Sequence, residues 1–244
     1  MYSILIASAV AVLVLVSGLS LEWWGYGWGI PLALIAFLAT WIVIGFRLRP
    51  RLATGMTQVR KLAEKGMTRQ AIEACEAMLP LGKWLPMLTG QLYAQMGALA
   101  YASGDQTRAR DYFGRASRRA ADAQLVHATM VYRDGDKEKA FQILQLACVA
   151  NKKHAFLHNV RAWLLHKEGR TQDAKACLAK FLQRDKDNEA AKDNLLRLQN
   201  DRKMNMQRFA EAWWMLGFEK PPRQLGQVQT GRKGFRQPPK RRKS

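Results

Sequence analysis

The chain has 244 residues and a formal net charge of +20, and none of its 39 basic residues precedes Arg47. Such an uneven distribution excludes a single ordinary globule and indicates two regions that face different solvents. The cysteines Cys75, Cys148 and Cys177 are widely spaced inside helical patterns, which excludes a disulfide scaffold and is typical of a reducing compartment.

Two apolar runs near the N-terminus are long enough to cross a bilayer. Residues 2–21 and 30–46 carry no charge, and each run is close to the ~20 residues that a spanning helix needs. Between them, EWWGYGWG combines aromatic residues that favour the headgroup region with glycines that permit a tight reversal. We predict a two-span membrane anchor over residues 1–47. A cleaved signal peptide is the alternative, but the leading end has no basic residue and SGLS is a poor cleavage site.

Basic residues follow the second apolar run directly, beginning with Arg47, Arg49 and Arg51. Cytoplasmic flanks of membrane spans are enriched in Lys and Arg, so this end is predicted to stay in the cytoplasm. With two spans, both termini are cytosolic. The sequence therefore predicts a multi-pass protein of the inner (cytoplasmic) membrane whose remaining part is cytosolic.

A glycine followed five positions later by an alanine occurs four times, each time where one apolar helical pattern gives way to another. The pairs are Gly66/Ala71, Gly104/Ala109, Gly135/Ala140 and Gly169/Ala174. Glycine adopts the left-handed conformation that ends a helix, and small side chains let two helices cross closely. Seven residues before each glycine the chain again has a small or slim residue: Val59, Gly97, Ala128 and Ala162. This pattern predicts four helix-turn-helix units over residues 48–186.

The spacings of 38, 31 and 34 residues between these glycines, with the small–Gly–Ala–Phe–Ala order, resemble the tetratricopeptide repeat. Residues 90–121 are its clearest copy. The double anchor followed by repeats loosely resembles HemY-like membrane proteins. The tetratricopeptide resemblance implies an α-solenoid with a concave groove, lined by the first helix of each pair, that binds extended or helical peptides.

The resemblance also implies which residues line the groove. They are Arg60, Tyr101, Tyr132, Arg133, Asn159, Trp163, His166 and Lys167. Aromatic and cationic side chains together suit an acidic protein or peptide partner with apolar anchors. The alternative is that Tyr101 and Trp163 pack within the solenoid.

Two further regions follow the repeats. Residues 187–220 are helical in composition and are predicted to form a capping helix or helices, with Trp213, Trp214, Leu216 and Phe218 closing the stack. Residues 221–244 are rich in Pro, Gly and Gln, contain eight basic residues and no acid, and are predicted to be disordered. Their basic tail residues, candidates for anionic lipid or RNA contact, are Arg232, Lys233, Arg236, Lys240, Arg241, Arg242 and Lys243. A solvated tail without a function is the alternative.

Catalytic and metal-binding patterns are weak. Cys148, His154 and His158 read C-x5-H-x3-H, which would supply part of a zinc site, but no fourth ligand has suitable spacing. The sequence has no phosphate-binding glycine loop, HExxH motif or nucleophile elbow. We predict no cofactor and no enzymatic activity.

Taken together, these features predict an all-α protein: an N-terminal two-helix transmembrane hairpin, a tetratricopeptide-like α-solenoid and a disordered basic tail. The predicted function is a membrane-anchored adaptor that binds a protein partner in its groove. The alternative is a membrane tether for RNA or the ribosome that acts through its basic tail.

Overall fold

The computed structural model describes residues 2–20, 26–85 and 87–219. Within these residues the structure is helical and contains no strand, so the prediction of an all-α fold is confirmed. The predicted aromatic belt at Trp23 and Trp24 and the basic tail from Arg232 to Lys243 lie outside the described residues.

The described residues form eleven α-helices. Their bounds are α1 (Tyr2–Ser20), α2 (Tyr26–Glu64), α3 (Thr68–Met78), α4 (Leu88–Ala102), α5 (Gln106–Arg115), α6 (Ala121–Arg133), α7 (Lys137–Ala150), α8 (Ala155–Lys167), α9 (Thr171–Leu182), α10 (Glu189–Gln199) and α11 (Ala210–Met215). Two short 3-10 segments, Leu79–Lys83 and Gln207–Phe209, precede α4 and α11.

One helix among the described residues is long and apolar enough to cross a membrane. It runs from Trp28 to Glu64. Its most apolar stretch has a mean hydropathy of 2.3, and 11% of that stretch is buried. Such low burial distinguishes it from the core helix of a globular domain, in which an apolar helix is covered by protein. The shorter apolar helix α1 packs along α2, with Ala7 and Ala33 buried.

Helix α2 continues well past the end of the predicted second span. A domain boundary is predicted after residue 47, and α2 runs unbroken across this position for 39 residues, or about 58 Å at 1.5 Å per residue. Pro50 lies inside the helix and removes only the backbone bond to Phe46, because proline lacks an N–H. The apolar segment and the first helix of the first repeat therefore form one continuous helix.

Helices α2 to α9 lie in successive antiparallel pairs joined by tight turns. The glycine at each turn has a positive φ: Gly66 at 73°, Gly104 at 85°, Gly135 at 97° and Gly169 at 79°. The alanine five residues after each glycine is fully buried, and each of the helices α3, α5, α7 and α9 also contacts the helix that follows it. At Gly97, a Cβ atom would lie 2.5 Å from the Phe113 ring, so a glycine is needed where these two helices cross.

Two apolar clusters form the interior of the helical array. One is centred on α3, α4 and α5, with Leu92, Met96 and Phe113 at its middle. The other joins α6 to α10 to the C-terminal helix α11, and its largest fully buried side chain is Trp213. The chain therefore folds back after α10 and packs a second layer mainly on the later helices.

Candidate functional site

One face of the array is formed by equivalent positions on α4, α6 and α8, which we call the first-helix face. Three residues before each turn glycine stand Tyr101, Tyr132 and His166, and six before stand Ala98, Thr129 and Trp163. Residues 204–219, called here the C-terminal segment, lie against this face on α6 and α8. The same face on α2 and α4 is left open. The face thus has a covered half and an open half.

Aromatic contacts hold the C-terminal segment on the covered half. The ring of Trp163 lies 4.8 Å from Trp213 and 5.1 Å from Phe218, measured between centroids. Phe218 also meets Tyr132 edge-on at 5.9 Å. Aromatic pairs of this geometry contribute about 0.5–1.5 kcal/mol each beyond the area that they bury. This cluster is the main apolar attachment of the segment.

Polar groups on α6 and α8 complete the attachment. The guanidinium of Arg133 donates a hydrogen bond to the Leu216 carbonyl and lies 5.5 Å above the Phe218 ring. The ammonium of Lys167 is 5.4 Å from the same ring and 5.1 Å from that of Trp163. A backbone carbonyl and an aromatic ring are therefore recognised together by cations.

A buried amide network connects α8 and α10 to the start of the C-terminal segment. Asn194 donates to Asn159 Oδ1 at 2.8 Å and accepts from the backbone N–H of Asn205 at 2.6 Å. Asn159 and Asn194 are both fully buried. Because buried amides are costly to leave unpaired, this network fixes the path of the chain after α10.

Tyr132 is held as a hydrogen-bond donor at the edge of the covered half. Its hydroxyl donates to Glu168, whose other carboxylate oxygen is 2.6 Å from the ammonium of Lys137. Burial and the bond to Glu168 raise the pKa of Tyr132 to about 12, and the bonds from Lys137 and Tyr132 lower the pKa of Glu168. The phenol therefore stays protonated and the carboxylate stays charged over the physiological pH range.

The open half contains a groove of about 790 Å³ between α2, α4, α6 and α11, called here the open groove. It is lined mainly by apolar side chains, among them Met56, Ala98 and Met215, and by Tyr101, Gln91, Gln95 and Asp122. Gln91 and Ala98 occupy the positions at which α8 carries Phe156 and Trp163. The smaller side chains of α4 leave the volume that aromatic rings fill in the covered half.

The structure places the predicted groove residues in four different environments. Tyr101 lines the open groove. Five residues lie on or beneath the covered half, against the C-terminal segment: Tyr132, Arg133, Asn159, Trp163 and Lys167. His166 flanks the segment and contacts Thr171 at 3.0 Å. Arg60 is exposed and pairs with Glu64 at 2.8 Å, away from the groove.

Sequence reasoning missed most of the open groove, and it did not predict on which face the C-terminal segment would lie. Met56, Gln91 and Gln95 are unremarkable residue types, and only their offsets from the turn glycines place them in the groove. The signal for the segment was the aromatic cluster after α10. It indicated a cap, but nothing in it specified that the cap would lie on the face predicted for a partner.

The three candidate metal residues have separate structural roles. His154 begins α8 and its Nδ1 accepts a bond from the Leu157 N–H at 3.3 Å. His158 is buried and stacked on Phe181 at 4.6 Å, and burial lowers its pKa to about 4. Burial raises the pKa of the Cys148 thiol to about 12. Within the part of the chain that the structure describes, no group of three or more His, Cys, Asp or Glu side chains is arranged to hold a metal.

No protein-family model matches the chain, and no curated protein is a significant match to it. A functional assignment therefore depends on the geometry of the first-helix face and on the apolar N-terminal helices.

Proposed function

We propose that the protein is a membrane-anchored adaptor whose tetratricopeptide-like solenoid binds a helical segment of another membrane protein in the open groove. Residues 1–47 form a two-helix anchor in the inner membrane, and the solenoid and both termini are cytosolic. The adaptor has no catalytic function of its own; its role is to hold a partner next to the bilayer.

The apolar N-terminal helices support the anchor. Helix α2 is long enough to span the hydrocarbon and still extend into the array. Five residues separate α1 from α2, so the two packed helices run antiparallel. The basic residues that begin at Arg47 follow the apolar stretch and favour a cytoplasmic position for the array.

The observation that carries the binding function is that the first-helix face already holds one peptide, the chain's own C-terminal segment. It does so with aromatic anchors and a cation on a backbone carbonyl. Equivalent positions on α4 form a groove with no such occupant. A face that holds a segment of its own chain on one half is suited to hold another chain on its open half.

The lining and location of the open groove define the partner's chemistry. Its apolar lining suits the apolar side of an amphipathic helix, and the exposed Gln91 and Gln95 offer hydrogen bonds at its rim. The groove includes Leu52, which lies about 7.5 Å along α2 from Arg47 at 1.5 Å per residue. The partner helix therefore lies beside the membrane, next to a span of its own protein, and acidic residues on its polar side match the basic excess of the array.

The test is to block the groove without disturbing the core. Ala98 is exposed within the groove, so Ala98→Trp fills it, and Ala179→Trp on the outer face of α9 is the matched control. The full chain is purified in detergent from the membranes of cells that make it. We expect wild type and Ala179→Trp to retain a membrane protein with an amphipathic helix beside its span, and Ala98→Trp to lose it. Equal retention by both variants would contradict the proposal.

A further inference from the structure

The loops that lead into α4, α6 and α8 carry an excess of positive charge that the adaptor function does not use. These are residues 79–85 together with 87, 116–120 and 151–154, called here the basic loop edge. They contain five cations and no acidic residue; the cations are Lys83, Arg118, Arg119, Lys152 and Lys153. In the first turns of the helices that follow, Asp122 is the one acidic residue.

The three loops form one continuous edge of the molecule. The Arg119 guanidinium lies 3.5 Å from the Met87 sulfur, which joins the first loop to the second. The Asn151 side chain donates to the Arg118 carbonyl at 2.8 Å, which joins the second loop to the third. The five cations are all exposed, and they lie on loops that contact one another in succession.

Several cations near the opposite edge, where the turn glycines lie, pair with acids. Lys137 pairs with Glu168 at 2.6 Å, and Arg110 pairs with Asp134 at the same distance. By contrast, none of the five cations of the basic loop edge forms an ion pair with another described side chain. The array therefore has one edge of unbalanced positive charge and one of mixed charge.

The basic loop edge lies at the end of the array from which the apolar helices leave. Helices α1 and α2 run antiparallel, so Tyr2 is level with the end of the apolar stretch of α2, near Phe46. The ring of Tyr2 meets that of Trp84 edge-on at 5.6 Å, and the Ser3 hydroxyl donates to the Trp84 carbonyl. The first loop is therefore attached to the interfacial end of α1.

We propose that the basic loop edge binds the anionic phospholipid headgroups of the bilayer in which the chain is anchored. Trp84 lies at headgroup level, where amphipathic aromatic rings are enriched, and the cations of the next two loops face the lipid phosphates. Such contacts hold the array in a fixed orientation on the membrane and place the open groove beside it. The inference rests on the proposed membrane anchor.

The test compares two probes on the full chain reconstituted into lipid nanodiscs. A fluorophore is attached at Ser117→Cys on the basic loop edge or at Ser103→Cys in the turn at the opposite edge. The native cysteines are buried, so they react slowly with the label. The nanodiscs contain phosphatidylcholine alone or with phosphatidylglycerol, together with a lipid whose headgroup carries a quencher.

In nanodiscs with phosphatidylglycerol, we expect several-fold stronger quenching at position 117 than at position 103, and a smaller difference at high salt, because surface charges are screened. Lys152→Glu with Lys153→Glu should abolish the difference. Lys65→Glu with Lys139→Glu, an equal change of charge near the opposite edge, should leave it intact.

Equal quenching of the two probes in nanodiscs that contain the chain would overturn the inference and leave the anchor standing. A chain that fails to enter nanodiscs of either composition would overturn the anchor, and the inference with it. Protection of the probe at position 117 by added RNA, with no response to phosphatidylglycerol, would assign the edge to nucleic acid and overturn the lipid proposal.

Discussion

The covered and open halves of the first-helix face are built from the same repeat, yet only one holds a segment of the chain. Helix α8 presents Phe156 and Trp163 where α4 presents Gln91 and Ala98. The aromatic rings of α8 interlock with Phe209, Trp213 and Phe218, whereas the small side chains of α4 leave a groove of about 790 Å³. Side-chain size at equivalent positions, rather than the helical framework, decides which part of the face is occupied.

The largest loss of stability should come from removing the central aromatic ring of the covered half, that of Trp213. Trp213 is fully buried against Trp163 and Phe218, and truncating such a residue costs about 3–5 kcal/mol. We expect Trp213→Ala to lower the free energy of unfolding of the full chain in detergent by this amount, measured by chemical denaturation.

Met215 provides the matched control on the same helix. It is 75% exposed at the end of the open groove, so Met215→Ala should change the free energy of unfolding by no more than about 0.5 kcal/mol. If both substitutions have the same small effect, the C-terminal segment is not bound to the covered half.

A fall in pH should destabilise the covered half before it destabilises the open half. His158 lies in α8 beneath the covered half, and α1 to α5 contain no histidine. Because burial lowers the pKa of His158 to about 4 from the usual 6.5, the unfolded chain binds a proton between these pH values that the folded chain does not. Stability therefore falls as the pH drops through this range, by about 3 kcal/mol in total.

Amide hydrogen exchange between pH 7 and 4, corrected for the intrinsic exchange rate, checks this prediction. Protection of α8 and α9 should decrease towards pH 4 and that of α4 and α5 should remain. His158→Gln should remove most of the pH dependence in α8 and α9, whereas His127 on α6, whose pKa is also lowered by burial, accounts for a remaining part. An equal loss of protection in both halves of the array would contradict the assignment to His158.

A smaller loss of stability is expected when the hydroxyl of Tyr132, at the edge of the covered half, is removed. Its hydroxyl donates to Glu168, which also pairs with Lys137. Tyr132→Phe keeps the ring that meets Phe218 and removes one charge-assisted bond, so we expect a loss of about 1–2 kcal/mol in the free energy of unfolding. Tyr112→Phe, which removes an exposed bond of 3.1 Å to Glu76, should have almost no effect. If the two losses are equal, the bond to Glu168 contributes no more than an exposed one.

The sequence predicted the helical fold because its strongest signals are local. A glycine that must adopt a positive φ and an alanine that must fit a close crossing are each determined by a few neighbouring residues, and the four turns lie where these signals indicate. Helix α2 continues across the boundary predicted after residue 47. Pro50 and the change from apolar to basic residues resemble a break, but helix α2 tolerates both.

The occupancy of the first-helix face is a long-range property that local patterns do not contain. Phe218 meets Tyr132 and Trp163, which are 86 and 55 positions earlier in the chain. Tyr132 and Trp163 have the residue types expected of a partner site, and aromatic side chains serve equally well against a segment of the same chain. Only the three-dimensional arrangement separates these two uses.

Photocrosslinking from one position in each half tests the central claim most directly. A photoreactive amino acid replaces Gln95 in the open groove or Lys167, which faces Phe218 in the covered half, in the full chain in its own membrane. The account predicts that position 95 crosslinks to a second protein, whereas position 167 crosslinks within the chain to residues near Phe218. Crosslinks from position 167 to a second protein, with none from position 95, would contradict it.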